Sequence, residues 1–224
     1  MQVENIVIPV GQGKRVSGAL TVPDGFDGRR GLILAHGAGN DMHQAMLVFL
    51  SEALARVGCL SLRFNFLYRE EGRNNPDRPE VLYEAWEGAY RFLSEQAVYH
   101  SQEIIAAGKS MGGRIASQLV AENRLPVNRL IFLGYPLHPA GRPERLRDEH
   151  LYKIGIPMLF ISGTRDPLCG LDLLRNVLGR LKAPWKLEIV EGGDHSFYVP
   201  KSYGVTQETI FGQIADWVVQ WLDA

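Results

Sequence analysis

The chain has 224 residues, of which 46% are hydrophobic and 22% charged, and its formal net charge is −1. These values are ordinary for a folded globular protein and argue against nucleic-acid binding, which requires a strong basic bias. The first ten residues lack the basic start of a signal peptide, and no apolar run is long enough to span a membrane. We therefore expect a cytoplasmic protein in which Cys59 and Cys169 are reduced thiols.

Apolar, β-branched runs alternate with helical patterns along the chain. The predicted strands are 3–10, 16–22, 31–36, 59–66, 103–108, 128–134, 157–162 and 186–191. The predicted helices are 42–57, 79–98, 111–123, 170–181 and 206–222. The alternation predicts a single α/β domain over residues 1–224, with a mostly parallel sheet of about eight strands and helices on both faces. The short connection Gly11–Gly13 predicts an antiparallel hairpin of the first two strands at one edge.

A G-x-S-x-G pattern, Gly108 to Gly112, lies between the fifth predicted strand and the helix that follows. A serine on so tight a turn is pushed out of the backbone, and glycines two positions away on either side let neighbouring backbone approach. The serine also lies at a helix N-terminus, where N–H groups and the helix dipole favour a developing negative charge. Ser110 is therefore the candidate nucleophile.

This motif has two other interpretations. Gly108, Lys109 and Ser110 match the end of a phosphate-binding loop, but that loop needs a glycine at position 103, which is Glu103. The apolar run continues to the turn and leaves no room for a phosphate cradle, so this interpretation is disfavoured. An ordinary serine at a helix N-cap stays open on the motif alone.

A nucleophilic serine needs a base, and His195 is the best-placed histidine. It lies in the glycine-rich stretch 191–197, just after the last predicted strand, at the same sheet edge as Ser110. His36 also ends a strand, but the Gly-Ala-Gly that follows suggests another use for its loop. His138 follows a strand end and is a candidate to line the substrate pocket. The remaining histidines fall on predicted helices or their ends and are expected to be solvated: His43, His100 and His150.

The acid that orients the base is predicted to be Asp166, which follows the strand 157–162. The alternative for Asp166 is a turn or N-cap aspartate before the next helix. Asp194 is the second candidate, but a residue adjacent to His195 rarely reaches round to its Nδ1 atom.

An oxyanion site is predicted in the loop 36–40, which directly follows the strand 31–36. Gly37 and Gly39 carry no Cβ, so backbone N–H groups there can approach a substrate. The expected donors are the N–H of Met111, just after the nucleophile, and the N–H of Ala38.

The chain resembles the α/β-hydrolase superfamily over essentially its whole length, and is similar to the dienelactone-hydrolase-like branch that includes testis-expressed-30-type predicted hydrolases. The strings that carry the resemblance are HGAGN at 36–40, RFNF at 63–66, GKSMGGR at 108–114, GYPLHP at 134–139 and GGDHSF at 192–197. The order Ser110, Asp166, His195 is that of this superfamily, and the resemblance implies a catalytic triad on these residues. Dienelactone hydrolases carry a cysteine nucleophile where this chain has serine, which argues against dienelactone as substrate.

Larger hydrolases often insert a helical lid between the strands predicted at 128–134 and 157–162. Here that stretch is short and rich in Arg, Glu and Pro. We expect no substantial lid and an open cleft, which favours short or extended acyl groups over long fatty chains.

Three basic residues lie near the predicted cleft. Arg63 could receive an anionic substrate group, or it could form an ion pair with Glu70 or Glu71. Lys109 and Arg114 flank the nucleophile and are expected to point to solvent or to brace the helix 111–123.

The sequence thus predicts a serine hydrolase that cleaves esters or thioesters of small acyl substrates. No spacing of Cys, His or carboxylate residues suggests a metal, and no cofactor is expected. Two alternatives stay open: a non-catalytic binding or scaffold protein of the same fold, and a peptidase or acyltransferase that uses the same residues. Oligomeric state cannot be derived from the sequence.

Overall fold

The computed structural model of the protein describes residues 1–95 and 98–224. The strands are β1 (Gln2–Pro9), β2 (Arg15–Val22), β3 (Arg30–Ala35), β4 (Leu60–Phe64), β5 (Glu103–Lys109), β6 (Arg129–Leu133), β7 (Met158–Gly163) and β8 (Trp185–Val190). The helices are α1 (Ala45–Arg56), α2 (Leu67–Glu70), α3 (Pro79–Ser94), α4 (Met111–Ala121), α5 (Leu171–Leu178) and α6 (Gln207–Asp223). Short 3₁₀ turns lie at Gly11–Gly13, Leu151–Lys153 and Lys201–Tyr203.

All eight strands form one sheet in the order β1-β2-β4-β3-β5-β6-β7-β8. β2 pairs antiparallel with both β1 and β4, and the other neighbours are parallel. The predicted fold class, a mostly parallel sheet with an antiparallel edge hairpin, is confirmed. Because the carboxyl ends of parallel strands share one edge, the loops that follow β3, β5, β7 and β8 converge there. That residues 1–224 form a single domain stays a prediction.

Two apolar cores cover the faces of the sheet. Successive residues of β5 point to opposite faces of the sheet, so Ile104 and Ala106 lie in one core and Ile105 and Ala107 in the other. Helices α3, α4 and α5 supply residues to the first core, and α1 and α6 to the second. Strand β5 is therefore buried on both faces. Its carboxyl end leads directly to Ser110.

The predicted strand 59–66 extends too far at its carboxyl end. The observed strand β4 ends at Phe64, because the Phe66 N–H donates to His36 Nε2, 3.1 Å away, instead of to a neighbouring strand. The chain then turns into the short helix α2, which the sequence did not predict. On α3, which ends at Ser94, positions 96 and 97 of the predicted helix lie outside the described residues.

The segment between β6 and β7 contains no helix longer than the 3₁₀ turn Leu151–Lys153. It is held close to the body of the protein, because the Tyr135 hydroxyl donates to the Arg147 carbonyl at 2.7 Å. The Arg147 N–H in turn donates to the Leu137 carbonyl at 2.8 Å. The expectation of no substantial lid is confirmed. No helix in the described part of the chain is long and apolar enough to cross a membrane.

A cluster of charges fastens the opposite end of the sheet, where the parallel strands begin. Glu103 lies between two arginines: its Oε2 is 3.2 Å from Arg30 Nε and its Oε1 is 2.7 Å from Arg129 Nε. Arg30 is only 8% exposed and also contacts Asp223, at 2.6 Å, and the Leu222 carbonyl at the end of α6. The cluster therefore ties the starts of β3, β5 and β6 to the last helix.

Replacing Glu103 by Gln should lower the free energy of unfolding by about 2 kcal/mol, because charge-assisted bonds are lost and two arginines are left facing each other. Urea denaturation measures the change. Glu122→Gln is the control, since Glu122 is half exposed and pairs with Arg124 at the surface, and it should cost less than about 0.5 kcal/mol. Equal effects of the two substitutions would contradict the role given to Glu103.

Candidate active site

Ser110 occupies a strained turn between β5 and α4. It has φ 50° and ψ −115°, a conformation that residues other than glycine rarely adopt. A Cβ added at Gly108 would overlap the backbone nitrogen of Gly113, and one added at Gly112 would lie 2.7 Å from the Ala35 carbonyl oxygen. The glycines of the motif therefore allow α4 to approach the sheet closely enough for this turn.

Ser110 begins a hydrogen-bonded chain of three side chains. His195 Nε2 lies 2.7 Å from Ser110 Oγ, and His195 Nδ1 lies 2.8 Å from Asp166 Oδ2. The Asp166 side chain is fully buried, and its Oδ1 accepts the Leu168 N–H at 2.8 Å. A carboxylate on Nδ1 fixes the tautomer that carries hydrogen there, so Nε2 is left to accept the serine proton.

Asp194, the second candidate for the acid, is engaged within its own loop. Its Oδ1 accepts the Ser196 N–H at 2.8 Å and the Tyr198 N–H at 2.9 Å. These bonds shape the turn that carries His195. The structure therefore places Asp166, and not Asp194, against the imidazole.

The loop after β3 passes beside Ser110. A Cβ added at Gly37 would lie 3.4 Å from Ser110 Cβ, so a larger residue would crowd the serine. Ala38 and Met111 line the same cleft as Ser110. Within residues 1–95 and 98–224, the N–H groups of Ala38 and Met111 donate to no other backbone or side-chain group. Both are thus available to a bound oxyanion. Gly39, with φ 74°, makes the turn that follows.

His36 holds this loop in place. It is fully buried, with Nδ1 2.8 Å from the Gly37 carbonyl oxygen and Nε2 accepting the Phe66 N–H. Burial lowers the pKa of His36 to about 4, so the ring is neutral and donates from Nδ1. The Tyr68 hydroxyl also donates to the Gly37 carbonyl, at 3.4 Å. His36 therefore stabilises the conformation of the loop after β3.

Two side chains predicted to bind substrate lie elsewhere. His138 is buried, its Nδ1 is 3.0 Å from the Pro139 carbonyl oxygen, and its Nε2 accepts the Gly170 N–H at 3.3 Å. Arg63 is 4% exposed, and its Nη1 donates to the Met42 carbonyl at 2.8 Å. Both are occupied by neighbouring backbone and neither lines the cleft, so their contacts give no support to a role in substrate binding.

The alternative expectation for Arg63, an ion pair with Glu70 or Glu71, is not met among the described residues. Glu70 instead accepts the Ser17 N–H at 3.0 Å and the Asn65 side-chain amide at 2.8 Å. Glu70 thus fastens the region after β4 to β2 without contacting the arginine.

Lys109 does not point to solvent, contrary to expectation. It is 3% exposed, and its ammonium lies 5.6 Å from the centre of the Phe197 ring. Burial lowers the pKa of Lys109 to about 8, against the opposing influence of Asp166 and Asp194. A Cβ added at Gly134 would lie 3.1 Å from its Nζ, so the chain at Gly134 passes close to the lysine ammonium.

His150, expected to be solvated, is half-buried and lies within the segment between β6 and β7. Its Nε2 lies 2.8 Å from Ser117 Oγ and 3.2 Å from the Tyr135 hydroxyl oxygen. Burial, with a smaller contribution from Arg114, lowers the pKa of His150 to about 4. His43 and His100 are exposed, as expected.

The cleft beside Ser110 has a volume of about 300 Å³. Besides the backbone of Ala38 and Met111, its lining is apolar at Pro76, Pro79, Leu82, Ile115, Pro136 and Leu168. Three charged residues also line it: Asp77, Arg114 and Arg147. The sequence prediction missed Asp77 and Arg147. The signal for Arg114 was available, because it lies four residues after Ser110, which is one helical turn.

Comparison with known proteins agrees with this architecture. Residues 28–223 match the model of a family described as alpha/beta hydrolase domain. The chain belongs to this family. Its structure is similar to dienelactone hydrolase from Anabaena variabilis, with a TM-score of 0.76 and 22% identity over 98% of this chain and 97% of that one.

Two further structures are similar to this α/β hydrolase. A serine hydrolase homologue from Coxiella burnetii has a TM-score of 0.77 and 20% identity, covering 99% of this chain and 98% of its own. A serine hydrolase without a lid from Xanthomonas campestris has a TM-score of 0.74 and 19% identity, covering 100% of this chain and 97% of its own. At these identities the likeness is one of fold. The match to the family model over residues 28–223 confirms the predicted superfamily.

Replacing Gly108 by Ala should destabilise this α/β hydrolase by about 3 kcal/mol or more, because the new methyl group overlaps the backbone of α4. Gly212→Ala is the matched control: Gly212 lies within α6 with nothing near its missing Cβ, so helix propensity should make that change neutral or stabilising by up to about 1 kcal/mol. Thermal unfolding compares the two. A tolerated Gly108→Ala would mean that α4 and β5 are not in close contact.

The low pKa of His36 should make stability fall in mild acid. Above pH 6.5 the ring is mainly neutral in both the folded and the unfolded chain, so the free energy of unfolding does not change with pH through this group. Between pH 6.5 and about 4 the unfolded chain takes up a proton that the folded protein refuses, which costs about 1 kcal/mol by pH 5.5. Urea denaturation at pH 7.5 and 5.5 measures this loss together with the similar loss from His150, whose pKa burial also lowers to about 4.

His36→Gln should reduce the loss of stability between these two pH values, whereas His43→Gln should leave it unchanged because His43 is exposed. A stability that stays constant or rises from pH 7.5 to 5.5 would show that His36 is not buried in its neutral form.

Proposed function

We propose that this protein is a serine hydrolase that cleaves esters or thioesters of small acyl substrates, with Ser110 as nucleophile. The observation that carries the proposal is the hydrogen-bonded chain from Ser110 Oγ through His195 to Asp166, with links of 2.7 and 2.8 Å. A serine hydroxyl is a weak nucleophile until a neighbouring base removes its proton, and here that base is in reach.

In the first step His195 Nε2 takes the proton from Ser110 Oγ as the oxygen attacks the carbonyl carbon of the substrate. Asp166 stabilises the imidazolium that forms, because its buried carboxylate accepts the Nδ1 hydrogen. The imidazolium then gives its proton to the leaving alcohol or thiol. The product of this half-reaction is an acyl ester on Ser110.

The carbonyl oxygen becomes negatively charged in the tetrahedral intermediate and needs donors fixed in advance. The Ala38 and Met111 N–H groups are the proposed pair, since both line the cleft beside Ser110. Met111 is the first residue of α4, so the helix dipole adds to the stabilisation. In the second half-reaction, water activated by His195 releases the acid and restores the serine.

The cleft favours a small or extended acyl group. It is lined partly by proline and leucine side chains, and no helical lid in the described chain covers it. A short acyl chain can rest against this wall, whereas a long one would leave most of its length in water. The buried, unpaired Cys59 and Cys169 suit a reducing compartment, and we place the protein in the cytoplasm.

Two alternatives remain candidates for the same site. A binding or scaffold protein of this fold would not need an intact chain of hydrogen bonds, and the strained Ser110 turn gives such a protein no evident benefit. A peptidase or an acyltransferase would use the same three residues and differ in leaving group or acceptor. A panel of esters, thioesters and peptides separates these activities.

Labelling with a fluorophosphonate tests the proposal directly. The folded wild-type protein should be modified on Ser110, and Ser110→Ala should lose both the label and at least about 10³-fold of kcat/KM toward an ester such as 4-nitrophenyl butyrate. Ser202→Ala is the control, because Ser202 is an exposed serine in a 3₁₀ turn, and it should keep both. Turnover that persists in Ser110→Ala, or a label on another residue, would refute the proposal.

A further inference from the structure

Two arginines line the cleft beside Ser110. Arg114 lies on the first turn of α4, and its N–H donates to the Ser110 carbonyl at 3.1 Å. Ser110 and Arg114 both line this cleft. The guanidinium of Arg114 is therefore carried by the same turn of chain that carries the candidate nucleophile.

Arg147 reaches the cleft from the segment between β6 and β7. Both polar groups of its backbone form hydrogen bonds. The Arg147 N–H donates to the Leu137 carbonyl, and the Arg147 carbonyl accepts from the Tyr135 hydroxyl at 2.7 Å. The position of Arg147 is thus fixed by the fold and is not that of a loosely tethered surface arginine.

Neither arginine has an acidic partner within the described chain. Arg114 Nη1 reaches only Gln118 Oε1, at 3.4 Å, and its buried Nε has no hydrogen-bond partner. Arg147 forms no ion pair with any described residue. By contrast, the buried Arg30 contacts two carboxylates. Two partly buried guanidinium groups without a counter-charge are unusual, because burial penalises charge unless it is paired.

The charges around Arg114 also favour a site for an anion. Burial lowers the pKa of Arg114, and the positive charge of Arg147 lowers it further. Asp77 is the one acidic residue among the described residues that line the cleft. Its Oδ1 is 2.6 Å from Arg73 Nη2, which is shared with Glu71 Oε2 at 2.5 Å. The charged residues that line the cleft are thus two arginines and one aspartate, which leaves one positive charge in excess beside Ser110.

We propose that Arg114 and Arg147 bind an anionic oxygen group of the substrate, a carboxylate or a phosphate, that lies a few atoms from the carbonyl attacked by Ser110. This inference rests on the proposed hydrolase function and names its substrate class: acyl esters or thioesters whose acyl part carries a second, negatively charged end. Guanidinium groups suit such a group because their paired N–H bonds match two oxygens at once.

Monomethyl glutarate is a simple probe of this substrate class, because three methylene groups separate its ester carbonyl carbon from its free carboxylate carbon. Its methylenes would rest on the apolar wall while the free carboxylate reaches the arginines.

The test compares monomethyl glutarate, which carries one negative charge, with the neutral dimethyl glutarate, by acid release at constant pH 7.5. We expect kcat/KM of the wild-type protein to be about 10-fold to 100-fold higher for the charged half-ester, as one or two charge-assisted hydrogen bonds would give. Equal values, or a preference for the neutral diester, would overturn the inference without any variant having to be made.

Two variants locate the effect. Arg114→Gln and Arg147→Gln should each lower kcat/KM for monomethyl glutarate by about 10-fold, mainly through KM, and change kcat/KM for the diester by less than about threefold. Arg145→Gln is the matched control, since Arg145 is exposed on the same segment, and it should behave as wild type. Equal losses toward both esters would indicate a structural role for the arginines and would contradict the proposal.

Inhibition of diester hydrolysis identifies the kind of anion. Stronger inhibition by glutarate than by inorganic phosphate assigns a carboxylate, and the reverse order assigns a phosphate. Inhibition by neither, at concentrations up to tens of millimolar, would count against an anion site.

Fluorophosphonate labelling separates this inference from the proposed function, because the probe needs Ser110 and not the arginines. A protein that is labelled on Ser110 but does not prefer the half-ester is a hydrolase with a different substrate. A protein that is neither labelled nor active on any ester lacks the proposed function, and the anion site fails with it.

Discussion

The close contact between α4 and the end of β5 is the constraint on which the candidate site depends. The two elements meet through the glycines on either side of Ser110, where any side chain at Gly108 would overlap the backbone of the helix. The contact forces Ser110 into its positive φ of 50° and fixes its hydroxyl at the helix N-terminus. Every other part of the site is arranged around this fixed serine, so its precision originates in backbone packing and does not depend on flexible side chains.

A second close contact sets the distance between the base and the acid. A Cβ at Gly163, where β7 ends, would overlap the Gly193 carbonyl in the loop after β8. The Arg165 N–H donates to that same carbonyl at 2.8 Å. The two loops are therefore in contact. This contact brings Asp166 and His195, one on each loop, within hydrogen-bond distance of each other. The hydrogen bond between them needs no long side chain to be ordered, which keeps its entropic cost low.

The sequence predicted those parts of the site that follow from strand position. In a mostly parallel sheet the residues just after each strand share one edge, so Ser110, Asp166 and His195 could be brought together without knowing the strand order. Lys109 and Arg147 could not be placed in this way. The surroundings of Lys109 depend on how Phe197 folds over it, and those of Arg147 on a hydrogen bond to Tyr135 within an irregular segment. Neither contact leaves a periodic pattern, which is the main signal that a sequence offers.

An open cleft also limits how a substrate can be selected. Each buried methylene contributes about 0.8 kcal/mol, and only when it is fully removed from water. A half-covered apolar wall can therefore discriminate only weakly between acyl chains of similar length. A hydrogen bond to a charged group contributes about 1.5–3 kcal/mol and depends on one defined position. In a protein whose described chain supplies no lid, the two arginines beside Ser110 are the stronger available source of selectivity, which is the physical reason to expect a charged end on the acyl group.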